Sequence, residues 1–304
     1  MPRFSIIVPL LNQSIEVENT LASLLRYQTQ DTEIVVAHDA SQADPYDLGD
    51  EVVRIGVTNP NLIQLFNAGV RIAQGSLIGF VRPGVEICDG WSAPVHRSFL
   101  NPSVGSVCPN IVNEGSELSP LLTGIDYSRT FQRQVVEPSP TLKSHSADPA
   151  QPLGPSSWAG FYRRAALRKI GHVDSKLDPL FLDLEIALSL KTLGFQTNFQ
   201  ADCLFRIADP TMVWNEANLP HGCSAERAIL RHGVNLKSWA ARNSAWSRMI
   251  NELLGSGFQP SRLRHALQRF QAGKFRQKDQ HFAQKLFQNA QFMHSAKRPL
   301  KRVA

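Results

Sequence analysis

FSIIVPLLN, residues 4–12, decides how the rest of the chain is read. Its β-branched run Ile6-Ile7-Val8 has no polar residue alternating with it, the pattern of a strand covered on both faces. Pro9 and Asn12 then mark a turn. Moving outward, Leu21, Leu24 and Leu25 recur at helical spacing behind start signals at Ser14 and Glu16. TEIVVAHDAS, residues 32–41, supplies a second buried strand that ends in the polar group His38-Asp39-Ala40-Ser41. Strand, helix and strand at this spacing require a right-handed parallel crossover.

The pattern then repeats. EVVRIGV (51–57) is a short third strand, NLIQLFNAGVRIAQG (61–75) a helix closed by Gly75, and SLIGFV (76–81) a fourth strand. The expected fold class is α/β, a mostly parallel sheet flanked by helices. In open sheets of this kind ligands bind beyond the carboxyl ends of the strands, so residues 9–12, 38–41 and 82–84 are expected to line one crevice.

Residues 114–157 change character. The stretch EPSPTLKSHSADPAQPLGPSS is rich in Pro and Ser and follows neither period, as a long surface excursion does. After it, WAGFYRRAALRKIGHVD (158–174) reads as a strand turning into a helix. PLFLDLEIALSLKTLGFQ (179–196) reads as a helix with its acids near the start, and TNFQADCLFRI (197–207) as a final strand. Beyond Ser224 the chain turns helical, with Leu230, Val234, Leu236, Trp239 and Trp246 on an apolar face; no internal repeat is visible.

Composition bounds the alternatives. The 304 residues, 42% hydrophobic and 19% charged, are those of a folded globular protein, not a disordered one. The apolar run at residues 4–12 is too short for a signal peptide, lacks a small-residue cleavage site and is broken by Pro9. No stretch reaches the roughly 18 apolar residues of a membrane span. Cys88, Cys108, Cys203 and Cys223 show no C-x-x-C spacing, which points to reduced thiols and a cytoplasmic location. A zinc set drawn from Cys203, His221, Cys223 and His232 matches no usual spacing. There is no G-x-S-x-G elbow, no P-loop, and no G-x-G-x-x-G after the first strand, so hydrolase and dehydrogenase readings fall away. The net charge of +6 is uneven: from residue 225 onward there are 16 Lys and Arg against 3 acids.

In segment order the chain resembles the family-2 nucleotide-sugar glycosyltransferases of the GT-A fold, over about residues 3–210. SIIVPLLN is similar to that family's opening strand and Pro-x-x-Asn turn, which implies that Pro9, Leu10, Leu11 and Asn12 contact the nucleotide. EIVVAHDAS resembles Glu-Ile-x-Val-x-Asp-Asp-Gly-Ser; Asp39 and Ser41 match, while His38 and Ala40 replace the first Asp and the Gly. By this resemblance Asp39 accepts a hydrogen bond from uracil. Within residues 61–81, Asn67, Gly69, Ala73 and Gly75 match, but Phe66 stands where the family has Arg.

The departure that matters is FVRPGV, residues 80–85, where the family carries Leu-Asp-Ala-Asp-Asp to hold a divalent metal against the sugar diphosphate. Arg82, Pro83 and Gly84 offer no carboxylate. A guanidinium binds a diphosphate bidentately and neutralises it without a metal, and the competing reading makes Arg82 a turn residue in a protein that has lost catalysis. FLDLEIALSLKTLGF resembles the family's Glu-Asp-x-Asp-Leu helix, with Asp183 at the position of the catalytic base and Glu185 at the following acid. Leu182 and Ser189 replace the Glu and Arg of that helix. For Asp183 the competing reading is a helix N-terminal acid held by the macrodipole.

Two functions follow from the resemblance. One is an inverting, metal-independent glycosyltransferase using a UDP-sugar donor and a glycan or lipid-linked hydroxyl acceptor, in polysaccharide biosynthesis, with Mn or Mg as a cofactor unsupported by these residues. The other is a catalytically inactive GT-A protein serving as a binding or scaffolding subunit. The expected organisation is a GT-A-like domain over 1–222, comprising a nucleotide-binding half (1–112), a variable loop (113–157) and an acceptor half (158–222), then a basic helical extension over 223–304. That extension, with Phe270, Phe275, Phe282, Phe287 and Phe292 among its basic residues, suits either a peripheral contact with an anionic membrane or packing on the domain; no nucleic-acid module is recognised.

Overall fold

The computed structural model describes residues 3–11, 15–41, 48–113, 120–127, 133–136, 151–211, 222–232 and 271–296. Strand β1 (Phe4–Leu10) is buried along its whole length, as its unalternated apolar run requires. Helix α1 (Ile15–Arg26) follows, burying Val17, Leu21 and Leu24, and leads to β2 (Thr32–Asp39). Then come β3 (Val53–Val57), α2 (Leu62–Ile72), β4 (Leu77–Val81), β5 (Val85–Ile87), α3 (Ser92–Phe99) and β6 (Val104–Asn113). The second half holds β7 (Pro120–Leu122), β8 (Gly124–Tyr127), β9 (Arg133–Val136), β10 (Ala159–Arg163), α4 (Arg164–Ile170), α5 (Leu182–Thr192) and β11 (Gln196–Ile207). The last described elements are α6 (Gly222–His232) and α7 (Arg276–Ala296).

The main sheet runs β3-β2-β1-β4-β10-β6-β11-β5, with β7 paired to β6. Its first four strands are parallel, as expected. β6 and β11 also pair in parallel, while β10 is antiparallel to both β4 and β6, and β5 to β11, so antiparallel strands are set into the expected mostly parallel sheet. The described parts of the 113–157 excursion are not all loop: β7 extends the main sheet, and β8 and β9 form a hairpin-like pair of their own. These strands are only three or four residues long.

Alternate residues of the central strands feed two cores. Phe4, Ile6 and Val8 join α1 and α3 on one face, while Ile7, Val35 and Ile78 join α2, α4, α5 and α7 on the other. α2 starts in a capping box between Asn61 and Gln64 and ends at Ile72, so Gly75 is not its cap. A Cβ on Gly75 would lie 2.7 Å from the Phe4 carbonyl carbon and the Ser5 nitrogen, so glycine is needed there for close approach to β1. α5 is buried at every position from Leu182 to Leu190, because α4 and α7 cover one side and α6 another. α7 is integral to this packing through Leu286 and Ala290, and Phe282 leans on the same cluster. Phe287 and Phe292 remain exposed; Phe270, Val234, Leu236, Trp239 and Trp246 lie outside the described residues. Among the described residues no helix is long and apolar enough to cross a membrane.

Candidate active site

Three parallel strands deliver their carboxyl ends to one edge. Leu10 of β1 pairs with His38 of β2, and Ile7 of β1 with Phe80 of β4. The pairing of β1 with β4 stops at Ile7, two residues before Pro9, which has no N–H to offer a ladder. Pro9 and Leu10 are buried in the end of β1 and Leu11 is exposed beyond it; Asn12 lies outside the described residues.

Asp39 ends β2. Its Oδ1 accepts from the Ser41 backbone N–H at 2.9 Å and from the Ser41 hydroxyl at 2.8 Å. Those bonds, the backbone one foremost, hold the carboxyl below the usual aspartate range, so Asp39 is an ionised acceptor at neutral pH. Both Ser41 bonds fall on Oδ1, which leaves Oδ2 as the oxygen to meet an incoming N–H donor.

Arg82 follows β4 directly. The Val85 N–H donates to the Arg82 carbonyl at 3.2 Å, and Gly84, at φ +94°, takes the turn position that favours glycine behind Pro83. The Gly84 N–H reaches Thr20 Oγ1 of α1 at 3.0 Å, pinning the turn to the first helix. The Arg82 N–H donates to the Trp158 carbonyl at 2.9 Å, and the guanidinium carbon lies 4.0 Å from the centroid of the Trp158 ring.

Asp183, in the first turn of α5, holds the residue next to Trp158. It is 1% exposed, and its Oδ2 accepts the Ser157 N–H at 2.8 Å while Oδ1 accepts the Leu184 N–H at 2.7 Å. Arg82 and Asp183 are therefore tied to adjacent residues, Trp158 and Ser157. At this junction the Ser157 hydroxyl and the Trp158 indole N–H are buried and, among the described residues, make no hydrogen bond. Buried polar groups left so are uncommon; among the described residues, side-chain atoms of Asn110, Ser189, Arg227 and His232 are in the same condition elsewhere.

Two expected residues lie elsewhere. Asn67 of α2 uses both ends of its amide on Val173, donating to its carbonyl at 2.8 Å and accepting its N–H at 3.1 Å. Glu185 is buried and bonded at both oxygens: Oε1 accepts from Arg231 Nε at 2.8 Å, and Oε2 lies 3.0 Å from His232 Nε2. Burial alone would raise its pKa, but Arg231 and His232 outweigh that and hold it at about 2.

The donor set does not fit a hard divalent cation. Arg82, Pro83 and Gly84 supply no carboxylate, and no group of three or more His, Cys, Asp or Glu side chains able to hold a metal occurs among the described residues. Glu86, the next acid, faces Arg206 across the β5–β11 pair and lines a separate pocket of about 470 Å³ with Arg26 and Cys88. Of the imagined zinc set, Cys203 is buried in the core and His232 is engaged with Glu185, while His221 lies outside the described residues.

Sequence reasoning missed Ser157 and Trp158 as site residues. The available signal was their position immediately ahead of a strand that begins at the shared edge. It also missed Asp279, whose signal is stark: it is the only acid between Arg262 and residue 304.

The model of glycosyl transferase family 2 matches residues 5–171. An uncharacterized glycosyltransferase, EpsJ of Bacillus subtilis (strain 168), is 35% identical over 88 residues, which span 27% of this chain and 26% of that protein. Among solved structures, the Pyrobaculum calidifontis mannosyltransferase PcManGT, in complex with GDP-Man and Mn2+, superposes with a TM-score of 0.52 at 14% identity over 98% of this chain and 88% of its own. GalNAc-T7 with UDP, GalNAc and Mn2+ gives 0.58 at 13% identity, covering 98% and 58%. S. aureus TarS 1-349 gives 0.51 at 13% identity, covering 97% and 90%. At such identities the likeness to these structures is one of fold.

Proposed function

Because the chain belongs to glycosyl transferase family 2, we propose that it moves a sugar from a UDP-sugar to a hydroxyl acceptor with inversion and without a metal. The observation that supports this reading best is the junction at Ser157-Trp158, two adjacent residues with unbonded polar groups, one of which holds the Asp183 carboxylate and the other the Arg82 guanidinium.

The Asp39 carboxylate accepts the uracil imide N–H through Oδ2, beside residues 9–12 of the first turn. The Arg82 guanidinium, held on the Trp158 ring, binds the diphosphate and meets the charge that grows on it as the bond to the anomeric carbon breaks. Asp183 takes the proton of the acceptor hydroxyl while that oxygen attacks the opposite face of the anomeric carbon, which inverts it. The acceptor is a glycan or a lipid-linked sugar. The exposed Phe287 and Phe292 on a helix containing Lys278 and Lys285 support a peripheral contact with an anionic membrane, on the cytoplasmic side, in polysaccharide assembly.

A second reading, a non-catalytic binding subunit, is favoured by one observation: Asp183 is almost wholly buried and both its oxygens already hold backbone N–H groups. Thermal shift with UDP-sugars, with and without manganese, tests the donor claim. Stabilisation by UDP-sugar that manganese leaves unchanged is expected. The absence of a shift with every nucleotide, together with no sugar transfer, would overturn the transferase reading in favour of the subunit.

A further inference from the structure

The acids and bases behind α5 form one buried ionic chain. Asp279 of α7 is 0% exposed and is shared by two arginines of α6: Arg227 Nε donates to its Oδ2 at 2.8 Å and Arg231 Nη1 to its Oδ1 at 3.0 Å. Arg231 continues to Glu185 of α5, and Arg227 to Asp174, whose Oδ1 also meets Lys278 at 3.0 Å. Phe282 and Phe275 of the C-terminal segment lie over the two guanidiniums, at 3.7 and 4.3 Å from ring centroid to guanidinium carbon.

This arrangement is a poor way to gain stability. Taking ions out of water costs about as much as their attraction returns, and apolar residues of similar volume are often as stable or better. What such a chain provides well is geometry. In α5 the N-cap residue Phe181 offers no side-chain cap and the helix is apolar on nearly every side, so its two buried carboxylates are the features that most sharply distinguish one rotation from another. Asp183 and Glu185 are two positions apart and so project about 200° from each other around the helix. One carboxylate holds Ser157 at the sheet edge and the other holds Arg231 and His232 behind. Rotation or sliding of α5 must break one anchor or the other.

We infer that α7 acts through Asp279, Arg231 and Glu185 as a brace that fixes the rotation of α5 and thereby the position of the Asp183 carboxylate. Glu185 and Asp279 are positioning residues in this scheme; neither touches substrate. The consequence for catalysis rests on the transferase reading above, but the brace itself does not. A displacement of about 1 Å at a reacting group costs on the order of a hundred-fold in rate.

The test compares the full chain with Asp279→Asn, which keeps the shape and an acceptor oxygen while removing the charge. Hydrogen exchange should quicken about ten-fold or more at the Ser157 and Leu184 amides, the two that Asp183 holds, and stay unchanged in β1 and β2. In the transfer assay kcat should fall about ten-fold or more with the KM for the donor unchanged. Faster exchange confined to α6 and α7 would overturn the brace, as would unaltered kcat alongside full Ser157 protection. If Asp279→Asn does not fold, Arg231→Lys, which keeps the charge but loses the two-way fork, carries the same readouts. A wild-type chain that transfers no sugar defeats the function proposed above, whereas the exchange arm still decides the brace because it needs no substrate.

Discussion

The guanidinium carbon of Arg82 lies 4.0 Å from the centre of the Trp158 ring, and the Arg82 N–H donates to the Trp158 carbonyl, so backbone and side chain are both fixed on one partner. A cation held in this way pays little ordering cost when an anion arrives. The ring stacks on one face of the guanidinium, whereas phosphate oxygens bond in its plane.

Replacing Arg82 with Ala should therefore weaken binding of UDP about ten- to hundred-fold, the worth of hydrogen bonds to a charged group, and leave uridine binding unaltered. Calorimetric titration with the two ligands checks this. Equal losses for both would show that Arg82 shapes the turn and does not meet the diphosphate.

A substitution of Trp158 by Leu keeps bulk at the site but removes the aromatic face. UDP affinity should drop by less than in Arg82→Ala, because the charge persists but is no longer held, and combining the two changes should cost little more than Arg82→Ala alone. Additive losses in that double-mutant cycle would separate the two residues.

Gly75→Ala probes the close approach of the α2–β4 connection to β1. The added methyl meets backbone atoms at 2.7 Å, which cannot swing aside as a side chain would. Urea denaturation should show a loss of about 1–3 kcal/mol with an unchanged slope.

That glycine also shows where sequence reading reaches its limit. Glycine after a helical pattern reads as a cap, but the same residue serves wherever two backbones meet, and only the fold tells which. The parallel half-sheet was legible because Ile6-Ile7-Val8 and the apolar stretch before His38 can be covered only on both faces, and so was the position of Asp39 at the edge. The full burial of α5 was implicit in a sequence with apolar residues around the whole helix. The partner of Glu185 was not legible, because Arg231 lies 46 residues away and nothing in a local window pairs them. The short strands β7 to β9 were hidden for the opposite reason: three or four residues are too few to display a period.

Glu185 and Asp174 both ionise in the fold at about 2, below their ordinary values, because the arginines, His232 and neighbouring donors outweigh the cost of burial. Groups with depressed folded values add stability above their unfolded pKa, and that stability drains as pH falls toward about 2. Urea midpoints should fall steadily below about pH 5. The stability difference between wild type and Glu185→Gln should narrow over the same interval, and a constant difference would show that Glu185 carries no proton-linked stability.

Asp183→Asn separates the base from the cap. The amide keeps one oxygen for a backbone N–H, but its NH2 group must then face the other, either Ser157 or Leu184, so the variant should lose about 1–3 kcal/mol in stability whichever role Asp183 plays. A base has a further signature. Transfer should fall by about a hundred- to ten-thousand-fold at temperatures where the variant remains folded, with UDP affinity unchanged, because the proposed function assigns the nucleotide to Asp39 and Arg82 and not to α5. Asp183→Glu, which restores a carboxylate one methylene further out, should recover part of the rate but little of the stability. A variant that loses stability alone, with transfer intact, assigns Asp183 to the backbone it holds and leaves the acceptor hydroxyl to be deprotonated by another group.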